Sequence, residues 1–261
     1  MESILSFSPD QYFNFFLVAL RTGGLFVTAP ILSSPSVPRQ LRLFMVVLIS
    51  LMLYSALPLR PIAANWDVSG YFLLATRETM IGLLLGVIPR AMFAAVDLAG
   101  TITGFQMGLS IANVVDPQSQ IQVSMIASLE GLLATLLFVT VDGHHLFFEV
   151  MASSYDHIPL GAFTFSPNKI DFLLRLGGDM ILLGVKLGAP FVVALLLANV
   201  ILGFMARAMP QMNIFVVGLP LTVLLGFVFL LTGMPYIINA LTKTFGTMQV
   251  QLVDMISIMA H

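Results

Sequence analysis

Cysteine is absent from the 261 residues, which excludes disulfides, thiolate metal sites and a cysteine nucleophile. Charge is nearly as scarce. Asp, Glu, Lys and Arg make up 9% of the chain, against about 25% in a soluble domain. Apolar residues make up 58%, and the mean hydropathy is +0.99. That leaves too little polar surface to cover a water-soluble globule, so a soluble enzyme and a disordered chain are set aside. The net charge of -2, from 11 Lys+Arg against 13 Asp+Glu, gives no basic footprint for nucleic acid. No basic n-region precedes the first apolar run, since the chain opens Met1-Glu2-Ser3. A cleaved signal peptide is therefore not expected, and the first apolar segment should stay in the mature protein. HExxH, a P-loop and a G-x-S-x-G elbow are also missing. Metalloprotease, nucleotide-hydrolase and α/β-hydrolase chemistry lose their usual signatures with them.

Long apolar runs are what the sequence does have. A membrane span needs about 20 mostly apolar residues. Gln11–Leu32, Leu43–Leu59, Tyr71–Ile88, Ala91–Ala112, Ile121–Val141 and Leu176–Ala206 qualify as candidates. Ala208–Thr242 carries no charge and as one straight helix would be about 52 Å long, well beyond a bilayer core. Pro210, Pro220 and Pro235 punctuate it, so a turn, a kinked helix and a second break are expected. From Thr244 to His261 the pattern changes. Phe245, Met248, Leu252, Met255 and Met259 recur at helical spacing with polar residues between them, which predicts an amphipathic helix. The fold class is therefore all-α and membrane-integral. Sidedness gives a conflict. The loop with Arg39 and Arg42 reads as cytoplasmic, and the acidic stretch Asp142–Ser166 as outside. An odd number of crossings must separate them, yet four candidates lie between.

Several constellations could carry a role. Glycines recur every four residues as Gly82/Gly86, Gly100/Gly104/Gly108 and Gly184/Gly188. On a helix this clears one stripe so that another backbone can approach, and helix–helix assembly is favoured over a lipid-facing stripe. Arg21, Arg77, Glu78, Asp97, Glu130, Asp179 and Lys186 interrupt the apolar segments. In lipid each would cost about 2.5–3.5 kcal/mol, so they should be buried against protein or face water. Paired structural charges are preferred to an ion relay. A small-solute or ion transporter using Asp97, Glu130 and Asp179 is the alternative, and an intramembrane hydrolase is a more distant one. Asp142-Gly143-His144-His145 with Glu149 could ligate a metal, but no third ligand motif accompanies it, and a helix start capped by Asp142 is preferred. No metal or other cofactor is expected. Phe105–Gln120 is rich in amides, hydroxyls and glycine, which hydrocarbon cannot satisfy. It should line or plug a cavity, or sit outside the bilayer.

Two stretches carry a resemblance. Arg207-Ala-Met-Pro210-Gln211-Met212-Asn213, continuing to Gly218-Leu-Pro220, resembles the signature of the FliR family, export-gate subunits of the bacterial flagellar type III secretion system. Gln106-Met107-Gly108 followed by Val115-Asp116-Pro117 is similar to the central loop of that family. Asp142-Gly-His-His145 followed by Ile158-Pro-Leu-Gly161 resembles its next connection, although many members have Asn where this chain has Asp142. The Pro-Gln-Met-Asn run is the most specific part, and it favours the flagellar branch over the injectisome homologues.

The resemblance implies a non-enzymatic export-gate subunit over the whole chain. It implies a FliP-like part over residues 1–170 and a FliQ-like part over 171–261, built of bent hairpins. The partners implied are FliP and FliQ, with FlhB and FlhA beside them, membrane lipid, and unfolded flagellar substrates. The place implied is the inner membrane of the flagellar basal body, with part of the chain raised toward the periplasm. Raised segments buried against partners need not cross lipid, which would account for the crossing conflict and would make the glycine stripes and the charges subunit contacts. The loop Gln106, Met107, Gly108, Ile111, Asn113, Val114, Val115, Asp116, Pro117, Gln120 and Gln122 is implied to plug the closed channel.

Overall fold

The computed structural model describes residues 8–59, 62–63, 67–109, 124–164, 166–209, 211 and 214–260. Among them are seven helices and no strand: α1 (Pro9–Thr28), α2 (Arg39–Ala56), α3 (Val68–Gln106), α4 (Met125–Thr140), α5 (Gly143–His157), α6 (Pro167–Ala208) and α7 (Ile214–Ala260). Local chemistry sets several ends. Ser8 and Gln11 form a capping box at the start of α1, with the Ser8 amide donating to Gln11 Oε1 at 2.8 Å and Pro9 in the first turn. That pairing satisfies two of the amides that a helix start leaves free. Ser124 caps α4 by accepting from the Ala127 amide at 3.4 Å.

Among the described residues, four helices are long and apolar enough to cross a membrane, or up to five segments if the bent pair α4 and α5 is one span. At about 1.5 Å per residue, α3, α6 and α7 would be roughly 58, 63 and 70 Å long, near twice a bilayer core. Here the structure corrects the expected breaks. Tyr71–Ile88 and Ala91–Ala112 do not form two spans, because α3 runs through Pro89 to Gln106. The expected second break and separate terminal helix are absent too, since α7 runs through Pro220 and Pro235 to Ala260. An interior proline costs about 3 kcal/mol. Breaking the helix in apolar surroundings would bare several backbone amides and carbonyls at several kcal/mol each, which is worse. Among the described residues, α2, α3 and α4 lie between the basic loop and Asp142, and of these α2 and α3 are each long and apolar enough to cross a membrane alone. The acidic connection after Asp142 is itself largely helix α5.

The chain forms two compact units, each discontinuous in sequence. The first comprises Met1–Ala91, Asp142–Leu176 and Thr247–His261. Its core holds Leu17, Leu25, Ile81, Leu85, Met151 and Ile158. Met248, Leu252, Met255 and Met259 are buried in the same unit, as the amphipathic spacing predicts. The second comprises Met92–Val141 and Gly177–Gly246. Its core includes Ala95, Val96, Ala99, Leu195 and Leu241 around three rings, Phe93, Phe138 and Phe245, whose centroids are 5.3 to 5.8 Å apart.

Candidate assembly and channel site

In the first unit, α1 crosses α3 at glycine. A Cβ on Gly24 would lie 2.7 Å from the Thr79 carbonyl oxygen, and one on Gly82 would collide with the Arg21 carbonyl. One turn on, a Cβ on Gly86 would meet Thr28. The close approach brings Arg21 onto Glu78, both wholly buried, with Nε 2.7 Å from Oε2. Every polar edge of the pair is used. Arg21 donates to Ser154 Oγ and to the Ile158 carbonyl, each at 3.1 Å, and its guanidinium lies 4.1 Å from the centre of the Tyr155 ring. The second Glu78 oxygen accepts the Gly161 amide at 2.6 Å, and Arg77 donates to the Gly161 carbonyl at 2.9 Å. Gly161 has φ +73, a conformation that favours glycine. One ion pair therefore ties α1, α3 and α5 to the turn that follows α5. Such a pair is costly to desolvate and strongly destabilising to break on one side, so its value lies in fixing which helices meet. Neither Ser154 nor Tyr155 was singled out in the sequence, because neither lies at a motif spacing from Arg21.

In the second unit, α3 is gripped on two faces. A Cβ on Gly100 would lie 2.5 Å from Ala127 Cα of α4, and one on Gly104 would meet Ser124. From α6, a Cβ on Gly184 would lie 2.9 Å from the Ala95 carbonyl, and Gly188 sits against Ala99. All six helical stripe glycines are thus spent on contacts within the chain. Their neighbours in this structure are this chain's own helices.

Gly108 is not part of the stripe. It ends α3 with φ +82. Its amide donates to the Phe105 carbonyl at 3.0 Å, and the Leu109 amide to the Gly104 carbonyl at 3.2 Å. This is the Schellman closure of a helix end. Met107, expected in a mobile plug, is wholly buried. Its carbonyl accepts from Thr222 Oγ1 at 3.2 Å, and its side chain fills the space left by Gly226 of α7. The Gln106 carbonyl accepts from Asn199 of α6 at 3.5 Å. A cleft of about 390 Å³ opens beside this end, lined in part by Gln106, Gly108, Asn199, Gly203, Gly218 and Thr222. Of the expected plug, Ile111, Asn113, Val114, Val115, Asp116, Pro117, Gln120 and Gln122 lie outside the described residues. So do Pro210, Met212 and Asn213 of the signature turn, while Arg207 and Gln211 are exposed.

The expected buried charges separate into groups. Arg21, Glu78 and Glu130 are buried and Arg77 is half-buried, but Asp97, Asp179 and Lys186 are exposed on this chain. Those three positions face away from the neighbouring helices of this chain. Lys169, not singled out in the sequence, is buried and donates to the Thr164 carbonyl at 2.5 Å beside the Phe163 ring. At the start of α5, Asp142 does not cap. It has φ 56 and makes no side-chain cap bond. Its carboxylate instead lies 3.3 Å from His145 Nδ1, with both side chains largely exposed. Asp142, His144 and His145 bring ligand-type atoms within 4.8 Å of one another. Glu149 is outside that group and accepts from Gln249 at 3.5 Å.

A family comparison places this arrangement of helices among known proteins. Residues 12–248 match the model of Bacterial export proteins, family 1. The chain belongs to that family. Its curated relatives include the flagellar biosynthetic protein FliR of Escherichia coli K12, 35% identical over 260 residues, with 97% of this chain and 98% of the relative covered. The FliR of Bacillus subtilis 168 is 35% identical over 94% of each. That of Aquifex aeolicus VF5 is 28% identical over 91% of this chain and 92% of the relative. Likeness to FliR proteins therefore runs almost from end to end.

Proposed function

We propose that the chain is a non-enzymatic subunit of the flagellar type III export gate. In this reading it helps to form the channel through which unfolded flagellar proteins cross the bacterial inner membrane, in complex with FliP and FliQ and beside FlhB and FlhA. The observation that carries the reading is the match to FliR proteins over nearly the full length of the chain. The exterior of the molecule supports it. Along the most apolar stretches of α6 and α7 only 28% and 22% of residues are buried within the chain, and 6% along α2. Such faces require lipid or partner helices around them. The FliP-like and FliQ-like parts, the basal-body location and the raising of part of the chain toward the periplasm belong to the same reading.

The test is deletion of the gene and its replacement by a tagged copy. Restored motility, restored secretion of flagellar subunits and co-purification of FliP and FliQ are the expected results. Normal filaments without the gene would sink the reading. The plug role of segment 106–122 is tested separately, by deleting 110–115. An assembled gate whose membrane leaks small ions is expected, and unchanged conductance would remove the segment from the channel.

A further inference from the structure

Helix α6 has two unlike faces in the second unit. Gly184 and Gly188 turn toward Leu98 and Ala99 of α3. On the opposite side, exposed positions advance by three and four residues in turn from Asp179 through Leu182, Lys186 and Val193 to Val200. Leu182, Val193 and Val200 are each about half exposed, and a Cβ on Gly203, the next position of the series, would meet nothing within 4 Å. A seam of this spacing, sustained over three heptads, is what one helix offers another for knobs-into-holes packing.

Two charges stand in the seam one heptad apart. Asp179 and Lys186 are separated by about 10.5 Å along the axis, too far to pair directly. Neither has an ion pair among the described residues. Lipid does not suit the seam, because two charges would be set into hydrocarbon. Water does not suit it either, because Ile181, Leu182 and Val185 are exposed around the charges. A protein helix suits both features. Charged residues in such a seam select register and partner, because only a helix with the opposite signs in the same order satisfies both.

We propose that this face of α6 is the docking seam for one helix of a partner subunit. That helix sets a basic residue against Asp179, an acidic residue against Lys186, and aliphatic side chains along Ala189 to Val200. The inference rests on the export-gate reading for the existence of a partner subunit, and adds where it sits and what it carries.

The decisive variant exchanges the two charges, Asp179→Lys together with Lys186→Asp. Composition, net charge and hydropathy are unchanged, so a face toward lipid or water should tolerate it. A partner helix would instead meet two like-charge contacts, and co-purified partner should fall about tenfold or more at an unchanged level of the chain. A photo-reactive residue at Ala189 in the otherwise wild-type chain, assembled in native membranes, decides the case if the exchange lowers the level of the chain itself. A cross-link to a different subunit, mapped to a helix with the stated charges, is expected. Adducts to lipid alone, adducts to a second copy of this chain, or full co-purification of the exchanged variant would each overturn the seam. Wild-type chain that co-purifies with no export protein would sink the export-gate reading instead, so the two failures are told apart.

Discussion

Arg21 with Glu78, and Asp179 with Lys186, are two opposite-charge couples in apolar helices, and the chain treats them in contrary ways. The first couple is wholly buried, and its polar edges are met by Ser154, Ile158 and Gly161. The second is exposed and has no ion pair among the described residues. The difference follows from glycine placement. Gly24 and Gly82 let α1 and α3 approach until Arg21 reaches Glu78. Gly184 and Gly188 do the same for α6 and α3, and thereby turn Asp179 and Lys186 to the far side of α6. Charge inside an apolar helix therefore has two uses here: one couple holds the chain to itself, and the other is left for an outside helix.

The sharpest way to break this contrast is at Glu78. Glu78→Leu leaves the Arg21 guanidinium buried without its counter-ion and takes the acceptor from the Gly161 amide. A loss of about 3–5 kcal/mol is expected, seen as loss of the monodisperse peak of the detergent-solubilised chain on heating. Arg21→Met added to Glu78→Leu should recover much of that loss, since apolar replacement of both partners is often neutral. No recovery would mean that the pair does more than fix which helices meet.

Next in size come the crossings. Gly82→Val and Gly100→Val drive a side chain into backbone across the contact, and overpacking of about 1–3 kcal/mol or more should lower the thermal midpoint of the same peak. Gly177→Ala and Gly203→Ala meet nothing within 4 Å. They should leave the isolated chain unchanged or up to about 1 kcal/mol more stable, because alanine is the better helix former. Equal effects at both kinds of glycine would remove the distinction between inward and outward faces.

A smaller effect is expected at the end of α3. Gly108→Ala puts a Cβ into a left-handed conformation, at about 1–2 kcal/mol, and should loosen the closure that anchors Met107. Amide exchange at Gly108 and Leu109 is the measurement, and it should be faster in the variant than in wild type. The smallest change is at the edge of the first unit. Ser8→Ala removes the α1 cap and should cost about 1 kcal/mol. It should raise amide exchange in the first turn of α1 while leaving the Arg21 network intact.

Much of the fold was legible in the sequence, and the reasons are local. Runs of apolar residues gave the helices, and the spacing from Phe245 to Met259 gave the one terminal face that proves buried. The Pro-Gln-Met-Asn run gave the family, because that chemistry is written in adjacent residues. Helix continuity was not legible at Pro89 and Pro235. A proline signals a break by its own geometry, whereas continuity depends on what surrounds the helix. The glycine stripes were legible as close approaches but not as to whom they approach, because spacing every four residues describes one helix and never its partner.

The sequence by itself determined that this is an all-α membrane protein of the export family. Composition fixes the preferred solvent, and hydrophobic period fixes secondary structure, both within a few residues. Only the tertiary structure decided that Arg21 meets Ser154 and Ile158, 133 and 137 residues away, and that Gly108 ends α3 instead of lengthening its stripe. It alone decided that Asp179 and Lys186 stand outside while Glu78 is sealed within. These outcomes depend on which helices approach so closely that an added Cβ would clash, and that is a property of pairs of helices folded together.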